Sequence, residues 1–155
     1  MPVSSLSSER RDQHALITIE RTHWQTSEAE LRHIREAVFI QEQHVPEALE
    51  WDQDDTEAVH FLARSDAGEA VGCIRLLATG QLSRLAVLVP WRNLDIGSRL
   101  LAAAEQEARQ QGMTEVFLHA QTQASHFYEA AGFSVNGGIF VEANIPHRQM
   151  LKELG

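Results

Sequence analysis

Between Leu82 and Ala120 the chain runs through a short apolar stretch, a loop of unusual residues, a long helical row and a second apolar stretch, and this order constrains the fold most. Residues 82–88 read as a strand ended by Pro90, because proline brings no amide to a sheet ladder. Ile96, Leu100, Ala104 and Ala108 then fall in one row at helical spacing, with Leu101 beside them, until Gly112 stops the helix. Residues 114–120 form the next strand. Strand, helix and strand make a βαβ unit, so part of the sheet is parallel.

The rest of the chain is patterned differently. Residues 16–21 alternate apolar and polar and predict a strand. Ser27-Glu28-Ala29-Glu30 has the form of a capping box, and Leu31, Ile34 and Val38 continue on one helical face to about residue 39 or 41. Pro46 interrupts that pattern. Residues 47–57 follow as an acidic loop or short helix carrying Glu47, Glu50, Asp52, Asp54, Asp55 and Glu57. Residues 58–64 and 70–77, joined by the turn formers Ser65-Asp66-Ala67-Gly68-Glu69, predict an antiparallel hairpin. Later, Ala124, Phe127, Tyr128 and Ala131 lie at helical spacing before Gly132, and residues 133–135 and 139–141 read as strands around Asn136-Gly137-Gly138. A final strand is expected at 147–151. The whole is an α/β sheet of mixed strand direction.

With 155 residues, 43% of them hydrophobic and 23% charged, the chain fits one domain at 15–155 behind a Ser- and charge-rich flexible tail at 1–14. No apolar run nears the ~18 residues of a membrane span, and the tail lacks the apolar stretch of a secretory signal. A cytoplasmic location without a membrane partner is therefore expected. Cys73 is the only cysteine, which excludes an internal disulfide and a cysteine-based zinc site. His44, His60, His119, His126 and His147 show no helical pair with a third ligand nearby, so no metal is expected. A net charge of -9 lacks the basic footprint of nucleic-acid binding; such a surface serves simple solubility and would equally attract cationic acceptors such as amines.

The loop at 88–98 leads from a strand into a helix, where unpaired amides meet the positive end of a helix dipole. Such an end binds phosphate. Gly97 permits close approach, and Arg92 and Ser98 add donors. An ordinary strand-to-helix connection, with Gly97 as a packing residue, would look the same. Arg92-Asn93-Leu94-Asp95-Ile96-Gly97 resembles the Gln/Arg-x-x-Gly-x-Gly/Ala pyrophosphate loop of the GNAT superfamily of acetyltransferases. Asp95 stands where that family has its first glycine; its carboxylate would repel a diphosphate unless it turns away or caps the helix. Gln121-Thr122-Gln123-Ala124-Ser125-His126-Phe127-Tyr128-Glu129-Ala130-Ala131-Gly132-Phe133 is similar to the family's Asn-x-x-Ala-x-x-apolar-Tyr-x-x-x-Gly-Phe run, with Gln121 for the Asn. Arg35, Val38-Phe39, Glu42-Gln43, Val45-Pro46, His60, Ala120-Gln121, Ile145-Pro146-His147 and Met150 extend the resemblance to the ElaA-like branch over residues 16–153.

The resemblance implies a mixed, mostly antiparallel sheet of six to seven strands flanked by about four helices. It implies direct transfer of an acetyl group from acetyl-CoA to a primary amine of a small molecule or peptide, without metal or nucleic acid, and it is compatible with a homodimer. The main chain of Leu85, Ala86 and Val87 would meet the pantetheine arm. Arg92, Asn93, Leu94, Asp95, Ile96, Gly97 and Ser98 would hold the pyrophosphate, and the Gln121 amide would meet the arm. Tyr128 would serve as general acid towards the thiolate. Glu42 has the best case as base, because the apolar surface of Phe39 and Val45-Pro46 could raise its pKa; Asp54, Asp55, Glu142 or a water compete for the role, and a solvated surface carboxylate would look the same. His60 and His147 would contact the acceptor or hold structure. The acidic stretch hints at a cationic acceptor. A non-catalytic acyl-CoA-binding module with the same fold is the alternative, motivated by Asp95 and Gln121.

Overall fold

A computed structural model describes residues 16–155; the expected tail lies outside the described residues. Among these residues eight strands join in one sheet: β1 (Thr18–Thr22), β2 (Val59–Arg64), β3 (Ala70–Leu76), β4 (Gln81–Val87), β5 (Glu115–Gln121), β6 (Ser134–Val135), β7 (Phe140–Glu142) and β8 (Ile145–Glu153). Their order is β1-β2-β3-β4-β5-β8-β6, with β7 also on β8. The β4–β5 pair is parallel and the others are antiparallel. The sheet is thus mixed and largely antiparallel, as expected. It exceeds seven strands because β8 is long enough to carry β6 and β7 in succession along one edge.

Among the described residues, four helices flank the sheet: α1 (Trp24–Arg35), α2 (Glu47–Glu50), α3 (Ile96–Gln110) and α4 (Ser125–Ala130). β2 shows how the two faces are filled. Phe61 and Ala63 point towards the apolar row of α3, while Leu62 between them packs with Leu31, Ile34 and Val38. Leu100, Ala104 and Ala108 of α3 are fully buried. Gly72 on β3 lets this helix approach closely: a Cβ there would lie 3.1 Å from Leu100 Cδ1 and 3.2 Å from the Ala86 carbonyl oxygen.

Two local expectations change. α1 begins at Trp24, and the backbone of Ser27 leaves helical geometry (φ -121°, ψ 18°). The Ser27 hydroxyl lies 2.6 Å from Thr22 Oγ1, so it ties the helix to β1 rather than completing a capping box. Beyond Arg35 the helix widens into a π-helical turn, Glu36–Glu42, a distortion that tends to sit near functional sites.

The acidic segment is largely spent on arginine. Arg35, buried within α1, donates from Nε to Glu50 (2.8 Å) and from Nη1 to Asp55 (2.7 Å), with its guanidinium 5.5 and 5.0 Å from the ring centroids of Trp24 and Trp51. Arg75 of β3 reaches Asp55 (3.0 Å) and Asp52 (2.7 Å). Burial pushes the Glu50 carboxyl up. Burial acts the same way on Asp55, but the hydrogen bonds and charges of Arg35 and Arg75 outweigh it and hold that carboxyl low. Asp55 is thus a structural anion, not an available base, and the hint of a cationic lure loses Glu50, Asp52 and Asp55. Asp54 alone of the central acids stays without a side-chain ion pair among the described residues.

Candidate active site

β4 and β5 pair only at Gln81–Phe117 and Leu82–Leu118. Beyond that point β4 stays on β3 as far as Val87, whereas β5 follows β8 as far as Gln121. The sheet therefore opens as a wedge. A bulge on β4 is the local cause. The register passes from Arg75–Ser83 to Cys73–Ala86, so two residues of β4 stand opposite one of β3, and Arg84 takes φ 56°. Arg84 is held there by the carbonyls of Glu50 (3.0 Å) and Leu49 (3.4 Å) and by Asp52 (3.2 Å). Its Nε sits 2.9 Å from Glu50 Oε2 but is not aligned for a hydrogen bond.

The wedge is part of a cavity of about 850 Å³. Leu85, Ala86 and Val87 line one wall; His119 and Gln121 line another, with Phe39 and Gln43 above one sheet face and Tyr128 at the other. Past Leu82, β4 has no strand on its β5 side among the described residues, so its main chain can receive an extended, amide-bearing arm. Cys73, buried behind β4, has its thiol pushed up to about 12 by burial, which removes it as a nucleophile.

At the end of the wedge the chain enters α3 through two left-handed residues, Asn93 (φ 64°) and Asp95 (φ 65°). Asn and Asp tolerate this region better than most side chains, which accounts for Asp95 where the resemblance calls for glycine. Asp95 is exposed and its side chain does not cap the helix, contrary to one expectation. The amides of Ile96, Gly97 and Ser98 consequently meet no acceptor among the described residues; only from Arg99, which bonds the Asp95 carbonyl at 3.1 Å, does the ladder begin. Three such amides at a helix start can hydrogen-bond an anion. Leu94 packs against the core beneath, and a Cβ at Gly97 would stand 3.5 Å from the Phe127 ring.

Arg92 and Glu42 form one unit. Arg92 donates from Nε to the Val87 carbonyl (2.8 Å) and from both terminal nitrogens to the Glu42 carboxylate (2.7 and 2.6 Å). That hydrogen bonding and charge hold the Glu42 carboxyl below its ordinary range, the reverse of the rise expected from its apolar flanks. Gln121 donates to Gln43 Oε1 (2.7 Å) and accepts from Gln123 (2.9 Å), joining β5 to the end of the π-helical turn.

Tyr128 packs edge-on to Phe127 and Phe133, with centroids 5.0 and 5.9 Å away. Burial raises its phenol to about 12, so it carries its proton at any physiological pH. His60 is a structural residue: it is buried, its Nε2 lies 2.9 Å from the Asp55 carbonyl, and burial lowers its pKa. His147 lines the cavity with Nδ1 2.6 Å from the Ile145 carbonyl. His119 and Gln43 also line it, and sequence patterns alone had given neither a place in the site. For His119 the available signal was its position two residues before Gln121, which puts both on one face of β5. No group of three or more potential metal ligands is found among the described residues, and no described helix is long and apolar enough to cross a membrane.

Residues 20–154 match the family model of the acetyltransferase (GNAT) domain. The uncharacterized protein YyaT of Bacillus subtilis is 36% identical over 137 residues, covering 83% of this chain and 93% of its own length. The aminoalkylphosphonate N-acetyltransferase of Salmonella typhimurium is 36% identical over 97 residues, 55% of this chain and 63% of that protein. The crystal structure of Escherichia coli ElaA superposes with a TM-score of 0.77 at 25% identity, covering 88% of this chain and 99% of ElaA. The chain belongs to the GNAT acetyltransferase family.

Proposed function

We propose that the chain transfers an acetyl group from acetyl-CoA to a primary amine on a small molecule or peptide, by direct attack of the amine on the thioester. One observation supports this reading above all: a stretch of β4 from Leu85 to Val87, paired with β3 but not with β5, leads to the amides of Ile96, Gly97 and Ser98, which meet no acceptor among the described residues. The first suits the amide-bearing arm of CoA and the second its diphosphate, with Arg92, Asn93, Leu94, Asp95 and Ser98 framing the seat. Gln121 faces the same cavity. The Salmonella relative, by its name, acetylates an aminoalkylphosphonate, which favours a small-molecule acceptor. A cytoplasmic location and a homodimer accompany the reading; fractionation and light scattering test them.

An alkyl amine with a pKa near ~10.4 holds its proton at neutral pH, and freeing its lone pair costs roughly 4–5 kcal/mol. The site must therefore remove a proton, stabilise an oxyanion and return a proton to sulfur. A main-chain amide on the β4 edge beyond Leu82 would polarise the carbonyl. Tyr128, still protonated, is the donor to the departing thiolate. The test is amine-dependent release of CoA thiol across a panel of amines, with Tyr128→Phe beside the native chain. The expected result is a fall in kcat of about 10²-fold with the acetyl-CoA Kd nearly unchanged. Acetyl-CoA binding without amine-dependent thiol release would favour the alternative, a non-catalytic acyl-CoA-binding module, for which the exposed Asp95 carboxylate beside the amides speaks.

A further inference from the structure

We propose that His119, oriented by Glu142, is the group that takes the proton from the acceptor amine. The inference rests on the acetyltransferase reading and assigns the one role that reading leaves empty. Glu42 is bound on both oxygens by Arg92, and Glu50 and Asp52 are paired with Arg35, Arg75 and Arg84. Glu142, at the end of β7, lies against two histidines instead of an arginine: its Oε1 is 3.0 Å from His119 Nδ1, and its Oε2 is 3.9 Å from His147 Nε2.

A carboxylate only accepts hydrogen bonds, so the 3.0 Å contact requires the proton of neutral His119 to sit on Nδ1. Nε2 then carries the lone pair, and it has no partner among the described residues. The ring is fixed edge-on against Phe140, with centroids 5.1 Å apart and planes at 82°. An imidazole oriented in this way by a carboxylate is the arrangement of a general base.

Its place in the sheet fits the role. His119 follows Leu118, the last residue of β5 paired with β4, and so stands where the wedge opens. It projects from the face opposite to Leu118 and Ala120, which pack under α3, whereas Tyr128 packs with that α3 cluster. Base and acid thus flank the opening from opposite faces of the sheet. An ammonium acceptor arriving on the His119 face gives one proton to Nε2, and Glu142 stabilises the imidazolium. The freed nitrogen attacks the thioester carbon, the C–S bond breaks, and Tyr128 protonates the sulfur. The second proton shed by nitrogen as the amide forms replaces the one Tyr128 gave up.

Two measurements on the full chain test this. In kinetics, His119→Asn should lower kcat/KM about 100-fold for an alkyl amine but less than tenfold for hydroxylamine, which is uncharged at neutral pH, with acetyl-CoA affinity retained. Equal losses for both acceptors, or none, overturn the assignment. In ¹H–¹⁵N correlation spectra of the ring nitrogens, His119 should be the Nδ1–H tautomer, and Glu142→Ala should abolish that preference. An Nε2–H tautomer, or one indifferent to Glu142→Ala, overturns it even if the native chain acetylates no amine tried, a result that would instead sink the acetyltransferase reading.

Discussion

Arg92, in the loop after β4, grips the carboxylate of Glu42, at the end of the π-helical turn, through both terminal nitrogens while its Nε holds the Val87 carbonyl. The guanidinium expected to meet a diphosphate is therefore already neutralised by a carboxylate. Both side chains are more than a third exposed, so water screens the pair and its worth is about 1 kcal/mol at most. Glu42→Gln should free Arg92 and tighten acetyl-CoA binding about threefold to fivefold, whereas Arg92→Ala should weaken it. Calorimetric titration of the two variants checks this; weaker binding by Glu42→Gln would contradict it.

Asp95 holds φ 65° directly before three free amides. Glycine occupies that region without the steric cost an L side chain bears, and it removes a carboxylate from an anion seat. Asp95→Gly should raise the unfolding midpoint by about 2–4 °C and tighten acetyl-CoA binding, while Asp95→Ala should lower the midpoint. A thermal melt with and without acetyl-CoA separates the two effects. Weaker binding by the glycine variant would mean that the carboxylate does not face the ligand.

The parts of the fold legible in the sequence were those written in local periodicity. The row Ile96, Leu100, Ala104 and Ala108, the hairpin around Ser65 to Glu69 and the ending of β4 before Pro90 needed only neighbours along the chain. What depended on distant partners was not legible. Glu42 looked apolar in its surroundings because Arg92 is fifty residues away in sequence, and the acidic segment looked free because Arg35, Arg75 and Arg84 reach it from three other elements. His119 and Glu142 meet because β7 and β5 both flank β8. No spacing rule connects them.

The buried Asp55 ties stability to pH. Its carboxyl is held low in the fold by Arg35 and Arg75, so its contribution is present above the unfolded carboxylate pKa of ~3.9 and is lost as pH falls through the lower folded value. Glu50, raised by burial, acts oppositely: the fold takes up its proton before the unfolded chain does, so stability rises as pH falls through that raised value. Urea unfolding across a pH series should show a rise on mild acidification and then a steep fall. Asp55→Asn should lose about 3–5 kcal/mol at neutral pH and flatten the acid limb. A native curve without the fall would contradict this.

Tyr128, with its phenol raised to about 12, should remain a proton donor throughout the alkaline range. The kcat ratio of the native chain to Tyr128→Phe should therefore stay constant between pH 7 and about 10. A ratio that collapses towards one by pH 10 would show the phenol ionising early and would remove it from the acid role.

A crystal structure of the chain grown with CoA tests the central claim most directly. The diphosphate should lie within hydrogen-bonding distance of the amides of Ile96, Gly97 and Ser98, with the pantetheine arm along Leu85 to Val87 and the sulfur beside the Tyr128 hydroxyl. A diphosphate bound away from the start of α3, or a wedge closed by β5 returning to β4, would contradict it.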